Sequence, residues 1–249
     1  MSLWRLCGHD GSTGRALALD GPRLLHQARA DTADAALATL GGSGPVLRVG
    51  EGVASPLPAP LLPERLGPGL PGLTQDSPPD CLDGWVRLLL IGCADHDGIA
   101  CVITPTLAHW VHLSAGEAVS CQSFLTPRLA TALGAGDSAD ADALADTLSR
   151  PERLAAHLRG AQVQGAPASL TGHLLGAELA AARPYWLGQS VTLIGADPAT
   201  APRATALKAQ GVPVTQTEPD TLLAPAIAAL ATRRDTPPDP GENIPSRPH

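Results

Sequence analysis

The sequence has few lysines and few aromatic residues. Lys208 is the only lysine of the chain, and Phe, Trp and Tyr together account for 2% of its residues. The formal net charge is −7 at pH 7, and the arginines form no basic block. Surfaces that bind nucleic acid neutralise phosphates with clustered Lys and Arg. The composition therefore argues against a nucleic-acid partner.

Paired cysteines and long apolar runs are also missing. The five cysteines are odd in number and scattered, with no CxxC pair and no His/Cys cluster at zinc-ligand spacing. No apolar run reaches the length of a membrane span, and the first residues contain no basic stretch followed by an apolar segment. We therefore expect reduced thiols in a soluble cytoplasmic protein without a membrane partner. With 44% hydrophobic residues, the chain should form a substantial core.

The N-terminal part of the chain predicts strands and one helix. Apolar runs bounded by turn residues predict the strands "SLWRLC", "RALALD", "RLLHQARA" and "PVLRVG", and "TADAALATL" predicts a helix that ends at Gly41 and Gly42. Residues 51–80 are rich in Pro and Gly and have no periodicity. Such a long irregular segment is uncommon in a compact domain. We interpret it as a functional flap or as a bridge between two halves.

The rest of the chain repeats this order of elements. The runs "RLLLIG" (Arg87–Gly92), "IACVITP" (Ile99–Pro105) and "HWVHL" predict three strands, with a hairpin turn at Asp95–Gly98 between the first two. From Ser123 the pattern is helical, and it closes with a strand–helix–strand–helix unit.

Two runs of strands, each followed by helix, predict an α/β fold with a duplicated ribonuclease-H-like unit. Such a fold has two lobes and binds its ligand in the cleft between them. We predict an N-terminal lobe at residues 1–80 and a C-terminal lobe at residues 81–232. Residues 233–249, rich in Pro and charge, are predicted to be a disordered tail.

The turn in "LCGHDGSTGRALALDG" contains the first candidate site. It lacks GxxxxGK[ST] and precedes a strand, which excludes a Walker loop and a dinucleotide-binding GxGxxG. Its backbone N–H groups and hydroxyls would bind phosphate, Arg15 would pair with an anionic group, and Asp10 would hold Mg²⁺ through water. The alternative is a plain hairpin, because turns favour Gly, Ser and Asp. The candidate phosphate-binding residues are Gly11, Ser12 and Thr13.

Further candidates lie in the second half of the chain. Thr106 and His109 occupy a second turn between strands, where a histidine serves either structure or catalysis. Gly172 and Gly176 lie four residues apart on one predicted helix, and glycine costs a helix about 1 kcal/mol against alanine. The pair therefore indicates close approach of another helix or of a nucleotide. Gly195 ends the strand "SVTLIGA", at the sheet edge where open α/β folds bind ligands.

The order of these features resembles the 2-keto-3-deoxygalactonate kinases, a family of the sugar-kinase/actin-like superfamily. "VITPTLAHWV" lies where the family has "LPGTHSKWV", "SFLTPRLATAL" where it has "TFMTGELFALL", and "SLTGHLLGAEL" where it has "YLSGLLIGAEL". The closing "VTLIGA…ALKAQG" resembles the strand and helix on the family's nucleotide side. The similarity spans nearly all of residues 3–232.

This resemblance implies an actin-like ATPase fold and Mg²⁺- and ATP-dependent phosphorylation of 2-dehydro-3-deoxy-D-galactonate. Its implied partners are a small-molecule sugar acid and, in a homodimer, a second copy of the chain. The catalytic residues implied by the match are Asp10, Arg15, Thr106 and His109, with Asp10 also holding the metal. The implied nucleotide-binding residues are Gly11, Ser12, Thr13, Gly172, Gly176, Glu178, Gly195 and Lys208.

The sequence departs from the family pattern at several of these positions. Leu107 and His109 replace the His and Lys of "THSKWV", and residues 83–86 replace its "RGEE". The Asp of the family's "DWGTSNLRAW" falls on Gly8 without gaps, and on Asp10 if the hairpin is shorter. Two alternatives to a working kinase follow: a family member that binds nucleotide or sugar acid without turnover, and a hydrolase on the same fold.

Overall fold

The structure is a computed structural model that describes residues 3–235 of the 249-residue chain. It contains an α/β arrangement with mixed sheets. Its strands are β1 (Leu3–His9), β2 (Gly14–Asp20), β3 (Arg23–Ala30), β4 (Val46–Val49), β5 (Ser55–Pro56), β6 (Ala59–Pro60), β7 (Gly69–Leu70), β8 (Leu73–Asp76), β9 (Pro79–Leu82), β10 (Gly98–Ile103), β11 (Ala108–Ser114), β12 (Glu117–Phe124), β13 (Val191–Ile194) and β14 (Val214–Thr217).

Helices follow each run of strands. They are α1 (Ala33–Leu40), α2 (Gly84–Ile91), α3 (Thr126–Leu133), α4 (Ala141–Ser149), α5 (Leu154–Gln164), α6 (Pro167–Ala181), α7 (Arg183–Trp186), α8 (Asp197–Ala209) and α9 (Pro219–Asp235), with a 3₁₀ turn at Pro151–Arg153. Within residues 3–235, no helix combines the length and the apolar character needed to cross a bilayer.

The two large sheets share one strand order. In the first sheet the order is β3-β2-β1-β4-β7, with β1 antiparallel to β2 and parallel to β4. In the second sheet the order is β14-β13-β10-β11-β12-β6, with β10 antiparallel to β11 and parallel to β13. Each sheet is therefore an antiparallel meander of three strands extended by a parallel strand beside its first member.

The segment at residues 51–80 joins both sheets. β7 extends the first sheet beside β4, and β6 pairs with β12 at the edge of the second. The strands β5, β8 and β9 form a small sheet of their own. Residues 51–80 were interpreted as a flap or as a bridge between two halves, and these pairings agree with the bridge.

Arg87 on α2 holds this segment in place. Its guanidinium is buried, and it donates to the carbonyl oxygens of Leu61 (2.8 Å), Pro60 (2.9 Å) and Pro71 (3.0 Å). Burial lowers the pKa of Arg87 to about 10, so it stays charged at neutral pH. One side chain thus donates to the carbonyl groups of this irregular segment, which in a regular sheet would accept backbone N–H groups.

The predicted strand Arg87–Gly92 is wrong, because these residues lie in α2 and its C-cap. All residues of α2 are buried, and a short apolar run cannot by itself distinguish a buried helix from a buried strand. The Asp83 carboxylate caps the helix by accepting the N–H of Val86 at 2.8 Å. Residues 92–97 therefore connect α2 to β10, and the hairpin turn predicted at residues 95–98 is also wrong.

The second meander consists of β10, β11 and β12. Its three strands therefore include β12, which was not predicted, and do not include residues 87–92. The helical region predicted to begin at Ser123 begins later in the structure, because Ser123 lies inside β12. Of the predicted tail, residues 233–235 belong to α9, and residues 236–249 lie outside the described residues.

The largest core cluster brings both sheets together around α2 and α9. It includes Leu6 of the first sheet, Val111 of the second, Leu88 of α2 and Ile227 of α9. The two helices approach so closely that a Cβ on Gly92 would overlap Leu222 of α9. This packing brings the opening turn next to the turn between β10 and β11.

Candidate active site

A cavity of about 650 Å³ lies between the opening turn and the turn that joins β10 to β11. A Cβ added to Gly11 would lie 3.5 Å from both Thr104 and Pro105, so the two turns nearly touch. The polar residues lining the cavity are Asp10, Ser12, Thr13, Arg15, Arg29, Thr104, Glu218 and Asp220. The structure thus brings the opening turn, the second turn and the start of α9 to one site.

The backbone of the opening turn binds its own side chains. Oδ1 of Asp10 accepts the N–H groups of Ser12 (2.9 Å) and Thr13 (2.8 Å), and Nδ1 of His9 accepts the N–H of Gly11 (3.1 Å). The Asp10 carboxylate therefore occupies the concavity where the sequence analysis placed a phosphate. The hydroxyls of Ser12 and Thr13 are the groups of residues 11–13 that remain for a ligand in the cavity.

The second carboxylate oxygen of Asp10 has two contacts within the protein. This oxygen, Oδ2, lies 3.5 Å from Oγ1 of Thr13 and 4.0 Å from Nη1 of Arg15, both long contacts. The described residues include no group of three or more His, Cys, Asp and Glu side chains placed to hold a metal ion. Magnesium commonly keeps several waters and binds through one or two carboxylates and substrate phosphates. This donor set fits a hydrated Mg²⁺ at Oδ2 of Asp10.

Arg15 on β2 lines the cavity with a buried guanidinium. Its Nη1 donates to Oδ1 of Asp220 at 2.5 Å, and its Nη2 donates to Oε1 of Gln27 at 3.3 Å. The guanidinium carbon lies 5.4 Å from the centroid of a Trp85 ring. The hydrogen bond from Arg15 lowers the pKa of the Asp220 carboxyl. The cation that the sequence predicts for an anionic ligand is thus already paired within the protein.

Thr104, which the sequence analysis missed, organises the second turn. Its Oγ1 accepts the N–H of Leu107 (3.0 Å), and its backbone N–H donates to the Leu107 carbonyl (2.8 Å). Thr106 is half-buried at the tip of the turn and is not among the residues that line the described cavities. In the sequence, the Thr-Pro pair at the end of a predicted strand could have indicated Thr104.

His109 lies behind the cavity in a polar cluster between β9, β11 and β12. It is 2% exposed, and its Nδ1 is 2.7 Å from Oγ of Ser123. The Ser123 N–H donates to Oδ2 of Asp80. Burial lowers the pKa of His109, although Asp83 and Asp80 oppose the shift. The structure does not place His109 among the lining residues of the described cavities.

The glycine pair on α6 accommodates α4. A Cβ on Gly172 would meet the carbonyl of Asp140, and one on Gly176 would meet the carbonyl of Leu144. Of the two alternatives that the sequence left open, the helix is the neighbour found here. Gly195 follows β13, and a Cβ added there would lie 3.2 Å from the side chain of Ile103, which lines the first cavity.

Glu178 forms a buried ion pair with Arg203. Its two carboxylate oxygens accept from Nε and Nη2 of Arg203, both at 2.9 Å, and Oε1 also accepts from Nε1 of Trp110 at 3.3 Å. This pair ties α6 to α8 and β11. Lys208 is exposed in the last turn of α8 and lines none of the described cavities.

Two further cavities lie beside the first. One of about 270 Å³ lies between α3, α6 and α8 and shares Ile103, Thr104, Pro105 and Ala199 with the first cavity. Another of about 400 Å³, lined largely by alanines, lies between α4 and α8 and shares Asp137 and Pro202 with the second. We refer to these three neighbouring cavities as the trough.

Helix α8 begins at the trough without a side-chain cap. Its N-cap is Ala196, which lines the first cavity. Pro198 carries no N–H, and the N–H groups of Ala199 and Thr200 donate to the Ala196 carbonyl at 3.0 and 3.1 Å. The helix dipole and the N–H of Asp197 are therefore the features of this helix start that favour an anion. The sequence signal for this helix start is Pro198 in its first turn.

Comparison with known proteins adds a family and a fold. The family described as 2-keto-3-deoxy-galactonokinase matches residues 68–230, more than half of the chain. No significant match was found among curated proteins.

Two solved structures are similar to the chain. A Sinorhizobium meliloti protein provisionally described as a 2-dehydro-3-deoxygalactonokinase has a TM-score of 0.76 at 21% identity, covering 93% of this chain and 98% of that one. The (R)-2-hydroxyglutaryl-CoA dehydratase component A of Acidaminococcus fermentans has a TM-score of 0.51 at 10% identity, covering 93% and 97%. At these identities the two likenesses establish the fold alone.

Proposed function

The chain belongs to the 2-keto-3-deoxy-galactonokinase family, and from this we propose that it transfers a phosphoryl group from ATP to a hydroxyl of a sugar acid, 2-dehydro-3-deoxy-D-galactonate. One observation carries the proposal beyond the family match. The trough extends from the opening turn, past the uncapped start of α8, to the groove between α4 and α8, as three cavities that share lining residues. It offers polar and anion-favouring groups at one end and an apolar groove at the other, which suits a nucleoside triphosphate.

We infer that the fold is the duplicated ribonuclease-H-like fold of actin-like ATPases, with lobes at residues 1–80 and 81–232. The shared strand order of the two large sheets supports this inference. In such a fold the phosphates lie between one hairpin from each lobe, and the trough starts between two hairpins. A cytoplasmic location and a homodimer belong to the same proposal, and light scattering after size exclusion tests the dimer.

The phosphate end of the trough would supply positioning and charge. Phosphoryl transfer depends chiefly on these two effects. The hydroxyls of Ser12 and Thr13 would bind the phosphates, and the dipole of α8, whose N-cap lines the same cavity, would favour their charge. Oδ2 of Asp10 would hold a hydrated Mg²⁺, which when bound neutralises phosphate charge, and Arg15 would pair with an anionic group of a ligand.

The remaining candidates lie further from the phosphates in this proposal. Gly172, Gly176 and Glu178 hold α6 against α4 and α8, and so shape the wall of the nucleoside end. Thr106 and His109 remain proposed catalytic residues, His109 for the phosphates, although neither lines the described cavities.

The test is ADP formation from Mg-ATP with 2-dehydro-3-deoxy-D-galactonate, followed in a coupled assay. Asp10→Asn keeps an oxygen to accept the turn N–H groups but removes the negative charge, so we expect at least about a hundredfold loss of turnover with the melting temperature nearly unchanged. Full activity in Asp10→Asn would contradict the metal assignment. No turnover by the wild type with any sugar acid of a panel would overturn the kinase proposal.

A second candidate is binding without turnover. It is favoured by the self-contained turn, in which the N–H groups of residues 11–13 are all bound to His9 and Asp10. A ligand that binds the native state must raise its melting temperature. Stabilisation by ADP or by the sugar acid, without ADP formation from ATP, would support this candidate, and measured turnover would exclude it.

A further inference from the structure

The Asp220 carboxylate pairs with two arginine side chains that line the first cavity. Asp220 lies in the first turn of α9, and its Oδ1 accepts from Nη1 of Arg15 while its Oδ2 accepts from Nη2 of Arg29 at 3.4 Å. All three residues line the cavity of about 650 Å³. One carboxylate of the protein therefore lies between two arginines of the first sheet, where an anionic ligand would find its strongest partners.

Arg15 is also held by groups other than Asp220. Its guanidinium packs 5.4 Å from the centroid of Trp85 and donates to Gln27 at 3.3 Å. Oδ2 of Asp10 lies 4.0 Å away, and it is kept there because Oδ1 of the same carboxylate accepts two N–H groups of the turn. Arg15 would therefore remain at the cavity without Asp220, with only the more distant Asp10 carboxylate of these groups to balance its charge.

We propose that Asp220 is an internal competitor for the anionic group of the ligand. It neutralises the Arg15–Arg29 pair in the free protein, and a carboxylate or phosphate of the ligand takes its place. Two anions on the same pair of arginines repel each other, so only a ligand that displaces Asp220 gains both contacts. Asp220 would thus determine which anionic ligands bind. The identity of those ligands rests on the proposed function, whereas the competition requires no turnover.

The test uses Asp220→Asn, which keeps the shape and removes the charge. Calorimetric titration of the full chain with ADP, and separately with 2-dehydro-3-deoxy-D-galactonate, gives the two dissociation constants. We expect one of them to fall at least about tenfold in the variant. A gain for the sugar acid assigns the arginines to a carboxylate, and a gain for ADP assigns them to a phosphate.

Glu218→Gln is the matched control. Glu218 lines the same cavity and is exposed, but within the described residues it forms no ion pair with Arg15 or Arg29. We expect its removal to change either dissociation constant by less than about threefold, because its charge acts only at a distance. Equal gains in Glu218→Gln and Asp220→Asn would overturn the proposal, since the effect would then be one of overall charge.

Asp220→Ser guards against a folding artefact. It retains an oxygen that can hydrogen-bond at the helix start, and both variants are compared with the wild type by circular dichroism and thermal melting. Both variants should show the same gain in affinity. Unchanged affinity in both overturns the competitor even if the wild type forms ADP. If the Asp220 variants bind a ligand more tightly but the wild type forms no ADP, the kinase proposal is overturned and the competitor proposal stands. If no variant binds either ligand, both proposals are overturned.

Discussion

Replacing Glu178 by glutamine should destabilise the protein strongly, because it leaves the buried Arg203 without a counter-ion. Glu178 and Arg203 are 2% and 5% exposed, and their paired contacts are both 2.9 Å. Burial by itself lowers the pKa of Arg203, and the Glu178 carboxylate more than offsets this, so the pKa is raised. Removing one member of such a pair costs about 3–5 kcal/mol, a large share of a typical stability of about 5–15 kcal/mol.

The double variant Glu178→Leu, Arg203→Met separates this structural role from nucleotide binding. Replacing both charges by apolar groups of similar volume is often nearly neutral, so we expect the double variant to recover most of the lost stability. Urea unfolding followed by tryptophan fluorescence gives the free energies of unfolding of Glu178→Gln and of the double variant, because Trp110 lies in the core cluster beside this ion pair. Arg48→Met, which breaks an exposed pair with Asp34, is the control and should cost less than about 1 kcal/mol.

Two results would refute this reasoning. A loss below about 1 kcal/mol in Glu178→Gln would show that the pair is not desolvated as the geometry implies. A double variant that is stable but has lost ADP affinity would show that Glu178 or Arg203 contacts the nucleotide directly, as the family resemblance implies for Glu178.

Two further predictions concern the helices behind the trough. Gly176→Ala should destabilise by about 2 kcal/mol, because the new methyl meets α4, whereas Gly160→Ala, with open space on α5, should stabilise by about 0.5–1 kcal/mol; equal effects in urea unfolding would contradict the contact. Burial and the neighbouring His157 lower the pKa of His173, so its stability contribution is present above its unfolded pKa of about 6.5 and decreases as the pH falls below it. The melting temperature between pH 7.5 and 5 should therefore fall less in His173→Gln than in the wild type, and an equal fall would contradict the assignment.

Local patterns predicted those elements whose boundaries are written in neighbouring residues. The strands β1 to β4 and the helix α1 follow from alternating apolar runs and from the turn and cap residues between them. The family was also evident from the sequence, and the match over residues 68–230 confirms it. The helix α2 could not be predicted in this way, since its apolar run suits a buried strand equally well.

The opening turn shows where sequence reasoning about a site ends. Its composition predicted either a phosphate-binding loop or a hairpin, and both kinds of turn use Gly, Ser and Asp. The contacts decide how the turn is built, because the Asp10 carboxylate accepts the N–H groups of Ser12 and Thr13. The partner of Arg15 could not be read from the turn either, because it is Asp220, a residue about two hundred positions away in the chain.

By itself the sequence determined the family, the α/β class and the position of most strands, because these depend on local periodicity and on the order of motifs. Only the tertiary structure decided which side chains meet. It joined the opening turn to the turn at Thr104, paired Arg15 with Asp220, and used the glycines of α6 to admit α4. Such contacts link residues far apart in the chain, and no local pattern encodes them.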